Sequence, residues 1–140
     1  MDVVLRNIEL VAKSKTWLEL TTLVIPGEND TPEELEKIAK FIADIDPLIP
    51  WHISRFFPSY RMIDTPTTPL KTLKMAYEIG KKAGLKFVYI GNAPALKMED
   101  TYCHACGTLL IKRNNYFVTY AHYKDGKCKN CGCKMPGVLE

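Results

Sequence analysis

The chain has 140 residues, enough for one domain and a small appendage. Its hydrophobic content of 46% is ordinary for a globular protein, no run is long and apolar enough to span a bilayer, and no leader-like segment opens it, so a cytoplasmic protein with no membrane partner is expected. The net charge of +3 is unevenly placed: residues 1–100 carry 13 Lys and Arg against 14 Asp and Glu, and residues 101–140 carry six against two.

Val4, Leu5, Ile8, Val11 and Ala12 fall at helical spacing and predict a helix over residues 2–13. Trp17 to Ile25 is rich in β-branched residues and reads as a strand. Pro26-Gly27-Glu28-Asn29-Asp30 is a loop, its polar residues making a turn and capping the next helix. Thr31-Pro32-Glu33-Glu34 starts this second helix, with Thr31 as N-cap, Pro32 in the first turn and Glu34 closing a capping box. Leu35, Ile38, Ala39 and Ile42 give that helix an apolar face.

Ile49 to Arg55 predicts a second strand, with Pro50 tolerated at its start. His52 and Arg55 on this strand are candidates for a hydrolase or lyase site, although no nucleophile–base pair accompanies them. Phe56 to Thr68 is a long loop, a length that usually carries function. Thr68-Pro69 caps a third helix bearing Leu70, Leu73, Ala76 and Ile79, and Gly84 supplies the left-handed residue after it. Lys86 to Ile90 reads as a short buried strand.

Strands alternating with helices imply parallel pairing through right-handed crossovers. Three strands leave two raw edges, so this α/β unit, residues 1–98, reads as part of a larger sheet or barrel.

Residues 99–140 differ. Thr108–Arg113 and Tyr116–Ala121 are short strands, with a two-residue turn at Asn114-Asn115 and another turn at Asp125-Gly126. Two pairs of cysteines flank them, Cys103-His104-Ala105-Cys106 and Cys128-Lys129-Asn130-Cys131, each followed by a glycine, Gly107 and Gly132. Two residues between thiolates let both sulfurs reach one ion, and the glycine permits the tight turn after them. Cys103, Cys106, Cys128 and Cys131 therefore predict a tetrahedral metal site in a zinc-ribbon or rubredoxin-like knuckle, with zinc preferred and iron the alternative. Cys133 competes with Cys131, which is preferred because it repeats the spacing of the first pair; His104 and His122 read as surface residues before ligands. A closed four-sulfur site has no open position for catalysis, and it supplies on the order of 10 kcal/mol to a ribbon too small to fold alone. Four thiolates around a divalent ion remove two charges, leaving the loaded tail near +2, which disfavours nucleic acid as a partner.

Four segments in one order carry a resemblance: Leu23-Val24-Ile25-Pro26-Gly27-Glu28-Asn29-Asp30, Trp51-His52-Ile53-Ser54-Arg55-Phe56-Phe57-Pro58, Gly84-Leu85-Lys86-Phe87-Val88-Tyr89-Ile90-Gly91-Asn92 and Tyr102-Cys103-His104-Ala105-Cys106-Gly107. Together they resemble the C-terminal part of radical SAM proteins similar to pyruvate formate-lyase activating enzyme, in particular the AmmeMemoRadiSam system group. The resemblance implies a partial (β/α) barrel followed by a metal knuckle. It implies that Ile25, Pro26 and Gly27 line the adenine side of S-adenosylmethionine, and that Ser59 or Tyr60 stands where the family uses a histidine. The family's Cys-x3-Cys-x2-Cys cluster loop has no counterpart, because no cysteine precedes Cys103. The implied protein is a truncated or split half, inactive in radical chemistry alone. It would bind S-adenosylmethionine only with the missing half, supplied by a companion chain, and a homo-oligomer is the other way to cover its open edge. The alternative from another class is a zinc-ribbon module binding nucleic acid or a protein.

Overall fold

The computed structural model describes residues 2–114 and 117–137. Its first part alternates helix and strand: α1 (Asp2–Ala12), β1 (Leu20–Val24), α2 (Pro32–Ile45), β2 (Trp51–Arg55), α3 (Leu70–Lys82) and β3 (Val88–Gly91). The strands form a parallel sheet in the order β1-β2-β3, with Thr21 opposite His52 and His52 opposite Tyr89. The sheet is open, and its strands are shorter than the sequence pattern predicts: Trp17–Glu19 and Ile49–Pro50 lie outside the ladder.

Alternation along the strands gives the sheet two unlike faces. Val24, Trp51, Ile53, Val88 and Ile90 point to one face and are buried with Leu35, Ala39 and Ile42 of α2 and Leu73 and Ala76 of α3. Both crossover helices cover this face and pack on each other. Trp51 is fully buried and its Nε1 donates to Thr22 Oγ1 at 2.9 Å, so its one polar atom is satisfied. Thr21, Leu23, His52, Ser54 and Tyr89 occupy the other face, where Leu23 remains 43% exposed. Helix α1 buries none of its side chains fully, and Val3, Val4 and Leu10 are exposed.

Thr31 caps α2 as expected, its Oγ1 accepting the Glu34 N–H; the Glu34 carboxylate takes the Thr31 hydroxyl at 3.1 Å. Thr68 does not cap α3. The N-cap position is Pro69, which has no side-chain bond to give, and Thr68 turns inward instead. At the other end, Gly84 takes φ +100° and Leu85 N–H donates back to the Gly80 carbonyl, closing the helix. The outer edge of β3 is not raw: Ile90 N–H donates to the Met98 carbonyl.

After a short 3-10 turn at Pro94–Leu96 comes the ribbon: β4 (Thr101–Tyr102), β5 (Leu109–Asn114), β6 (Phe117–Tyr120), β7 (Tyr123–Lys124) and β8 (Lys127–Cys128). β4-β5-β6 and β7-β8 are separate antiparallel sheets. The turn expected at Asn114-Asn115 and the strand start expected at Tyr116 include residues outside those described. The ribbon has its own core, Cys103, Leu110, Cys128 and Met135, joined by Phe87 and Leu48. Phe87 and Leu48 stand just before β3 and β2, so the ribbon is seated at the N-terminal ends of those strands.

Candidate metal centre

The two cysteine pairs fold into matching turns. Cys103 N–H donates to the Thr108 carbonyl and Gly107 N–H to the Cys103 carbonyl; Cys128 N–H donates to the Cys133 carbonyl and Gly132 N–H to the Cys128 carbonyl. Each turn needs a left-handed residue after its second cysteine, and Gly107 and Gly132 sit there at φ +72° and +74°.

The turns face each other across the ribbon. The sulfurs of Cys103, Cys106, Cys128 and Cys131 all lie within 4.8 Å of one another. The Cys103–Cys131 distance is 3.6 Å and the Cys106–Cys128 distance 3.7 Å. Metal–sulfur bonds of about 2.3 Å at tetrahedral angles place sulfurs about 3.8 Å apart, so this arrangement fits a tetrahedral ion. Cys103 and Cys128 are buried while Cys106 and Cys131 face outward.

Electrostatics within the quartet are uneven. The Cys106 thiol is lowered to about 5, first by Thr108 side-chain and backbone hydrogen bonds, with help from Cys131 and Asn130. Cys131 is pushed up to about 12. The Cys133 amide pulls it down, but its bond to Cys106, burial, and its bonds to Cys103 and Cys128 outweigh that. Cys106 and Cys131 thus ionise unequally by themselves, and a divalent cation would supply the charge that favours thiolates at the site. Asn130 Nδ2 lies 3.7 Å from Cys106 Sγ and donates to Thr108 Oγ1 at 3.1 Å, holding the ligand side chain from outside. No spacing in the sequence signals this support, although Asn130 lies inside the second knuckle.

Cys133 is not the fourth member. Its carbonyl closes the second turn, and its sulfur lies 3.4 Å from His104 Nε2. His104 stands edge-on to Phe87, and His122 Nδ1 is 3.2 Å from the Leu109 carbonyl; neither is in the quartet.

The residues that the family resemblance assigns to a cofactor lie elsewhere, beyond the C-terminal ends of β1 and β2. Ile25 N–H donates to Asn29 Oδ1 at 2.7 Å and Gly27 N–H to Asp30 Oδ1 at 2.9 Å, so Ile25, Pro26 and Gly27 form a self-closed turn with Gly27 at φ +80°. Asn29 and Asp30 thereby make the expected turn. Ser59 starts a turn closed by Met62 N–H, and Tyr60, at φ +51°, is 81% exposed under Arg61. Among the described residues no hydrogen bond joins the two segments.

His52 and Arg55 do not form a pair. Three residues apart on a strand, they point to opposite faces. Arg55 Nε donates to the Thr68 carbonyl, whereas His52 Nε2 meets Glu19 Oε2 at 2.7 Å. The shared His52–Arg55 site expected from sequence is therefore absent, and the partner of His52 is Glu19, just before β1.

No helix among the described residues is long and apolar enough to cross a membrane. No family model matches the chain. No solved structure matches it. Uncharacterized protein MJ0808 of Methanocaldococcus jannaschii is 40% identical over an alignment 142 positions long, which takes in 99% of this chain and 43% of that protein. The chain therefore spans less than half the length of this curated relative, whose name assigns no activity.

Proposed function

We propose that the four cysteines hold a structural zinc ion, which staples the ribbon to the N-terminal ends of the strands of an α/β unit that is one sector of a larger radical SAM-like barrel. The observation that carries the metal reading is the quartet itself, four sulfurs within 4.8 Å of one another on two matching glycine turns. Zinc supplies a cross-link between chain segments and no open coordination position. The barrel reading rests on the family resemblance, supported by the part of the second sheet face that the ribbon leaves open, where Thr21 and Leu23 are exposed, and by a curated relative more than twice as long as the aligned region.

On this reading the chain performs no radical chemistry by itself. A site-differentiated iron–sulfur cluster needs three further thiolates, and the fifth cysteine, Cys133, is engaged with His104. The cluster and most of the S-adenosylmethionine site would come from a companion barrel sector docked on β1, with Ile25–Gly27 and the Ser59-Tyr60 turn as this chain's share of the cofactor wall. A second copy of the chain is the other partner able to cover β1. Metal analysis of the chain purified without chelators tests the first part: one zinc per chain is expected, and a red iron-thiolate absorption would assign iron instead. S-adenosylmethionine binding that appears only with a co-expressed cluster-bearing partner tests the second. Binding by this chain alone would refute it.

A second reading is favoured by one surface. Every described residue of β6 is exposed, with Phe117 at 79% and Tyr120 at 63%; Lys112 lies on the paired strand β5, and Lys124 lies on β7, the next strand in the chain. An interaction module for single-stranded nucleic acid would stack bases on such aromatics. Salt-dependent fluorescence anisotropy with a labelled oligonucleotide separates the readings.

A further inference from the structure

On the sheet face turned away from α2 and α3, the ribbon and the strands border a half-open cavity of about 330 Å3. This is at the small end of the range for organic ligands. Trp17, Phe87, Tyr89, Leu110 and Met135 provide its apolar wall, and Glu19, His52, Thr101 and Arg113 its polar groups. Neither the metal centre nor the cofactor wall uses it.

Its polar groups are connected. Trp17 Nε1 donates to Glu19 Oε1 at 2.8 Å, and the other Glu19 oxygen holds His52 Nε2. The His52 ring stacks on Tyr89 with centroids 5.1 Å apart, and the Tyr89 hydroxyl meets Thr101 Oγ1 at 3.0 Å. Arg113 completes the chain: Nη1 donates to Thr101 Oγ1 at 2.6 Å and to the Glu99 carbonyl at 2.8 Å, with Cζ 5.5 Å from the Tyr89 ring centroid.

Arg113 is the member that the fold does not use up. A guanidinium has five donors and a charge it never gives up. Here one nitrogen is engaged, on two neutral oxygens, and among the described residues no carboxylate pairs with it. Asp100 is close, but its carboxylate accepts the Arg113 backbone N–H. Glu19 is taken by Trp17 and His52. A cation with donors that no described residue pairs, on an aromatic-walled cavity, is a receptor for an oxyanion. Glu19 limits the ligand's charge. Burial pushes its carboxyl up, but hydrogen bonds from Trp17 and His52, and the charges of His52 and Arg113, hold it below the ordinary 4.5. Glu19 is therefore ionised at neutral pH and opposes a dianion.

We infer that this cavity binds a small organic monoanion, its carboxylate on the unused donors of Arg113 and its apolar or aromatic body against Trp17 and Phe87. The inference does not rest on the barrel reading, since every residue named belongs to this chain.

The test is titration of the metal-loaded full chain with benzoate, followed by tryptophan fluorescence and by the Arg113 Nε–Hε resonance of 15N-labelled protein. A saturable fluorescence change is expected from Trp17, the core Trp51 giving a constant background, and the Arg113 resonance should move over the same concentration range. Arg113→Gln should weaken benzoate at least ten-fold, Arg113→Lys less. Acetate, which lacks the ring, and inorganic phosphate should bind at least ten-fold more weakly than benzoate. A response that never saturates, phosphate binding as tightly as benzoate, or unchanged affinity in a folded Arg113→Gln variant would overturn the inference. If Arg113→Gln does not fold, the wild-type Arg113 resonance decides alone: a shift that saturates with fluorescence supports the site, and no shift refutes it.

Discussion

Thr68 Oγ1 donates a 2.6 Å hydrogen bond to the Val24 carbonyl and accepts the Phe56 N–H at 2.9 Å, with Thr68 and Val24 both sealed from solvent. One hydroxyl thus ties the end of β1 to both ends of the loop after β2. Thr68→Val keeps the shape and leaves two buried backbone groups unpaired. It should cost about 3 kcal/mol in urea unfolding, since each orphaned group costs roughly 1–3 kcal/mol. Thr68→Ser retains the hydroxyl and should cost about 1 kcal/mol for the lost methyl. Equal losses in the two variants would show that the hydroxyl is not what holds the loop.

Gly80 lies in the last turn of α3, where alanine would ordinarily stabilise by up to about 1 kcal/mol over glycine. Here a Cβ would come within 2.9 Å of Trp51 Cε3 and 3.1 Å of Val88 Cγ2. Trp51 has little room to yield, because its Nε1 is fixed on Thr22. Overpacking costs roughly 1–3 kcal/mol, so Gly80→Ala should be net destabilising by about 1 kcal/mol, the reverse of the helix-propensity expectation. Adding Trp51→Phe should cost less than the sum of the single changes, which a double-mutant cycle measures.

The metal centre should be separable from the α/β unit. The ribbon core contains two of the ligands, Cys103 and Cys128, packed with Leu110 and Met135, whereas the larger core has none. Chelation, or Cys106→Ser, should release the metal and abolish amide protection in residues 101–114 and 117–137 while helical circular dichroism persists. Cys133→Ser should leave the metal-to-chain ratio unchanged, because its sulfur is outside the quartet. Loss of metal in that variant would move the fourth ligand from Cys131 to Cys133.

These relationships differ in how legible they are in sequence. The knuckles are legible because a Cys-x-x-Cys-Gly turn is decided within six residues, as the matching bonds at Cys103 and Cys128 confirm. Parallel strands are legible because the helix–strand alternation leaves little other topology. Thr68 reads as a helix cap because local chemistry favours that role, and its real partner, Val24, lies 44 residues away. Pairing His52 with Arg55 fails on strand geometry alone. The actual neighbours of His52, Glu19 and Tyr89, are brought by β1 and β3, and Arg113 arrives with the ribbon. No spacing rule within one segment can register a site assembled from four.

Glu19 and His52 give the last expectation, and its sign is set by the partner. The folded-state carboxyl of Glu19 lies below its ordinary 4.5, against the upward push of burial, because Trp17 and His52 hydrogen-bond it and His52 and Arg113 add positive charge. A lowered carboxyl contributes stability that is present above about pH 4.5 and lost as pH falls through the folded value. The 13C shift of the Glu19 carboxylate should therefore titrate with a midpoint below 4.5. His52→Gln removes the partner's charge and should move that midpoint upward. Trp17→Phe removes one donor and should move it in the same direction. Because the Glu19 side chain is 48% exposed, added salt should shrink the charge contribution more than the hydrogen-bond one. A midpoint insensitive to His52→Gln would mean that the 2.7 Å contact contributes nothing to the carboxylate's charge state.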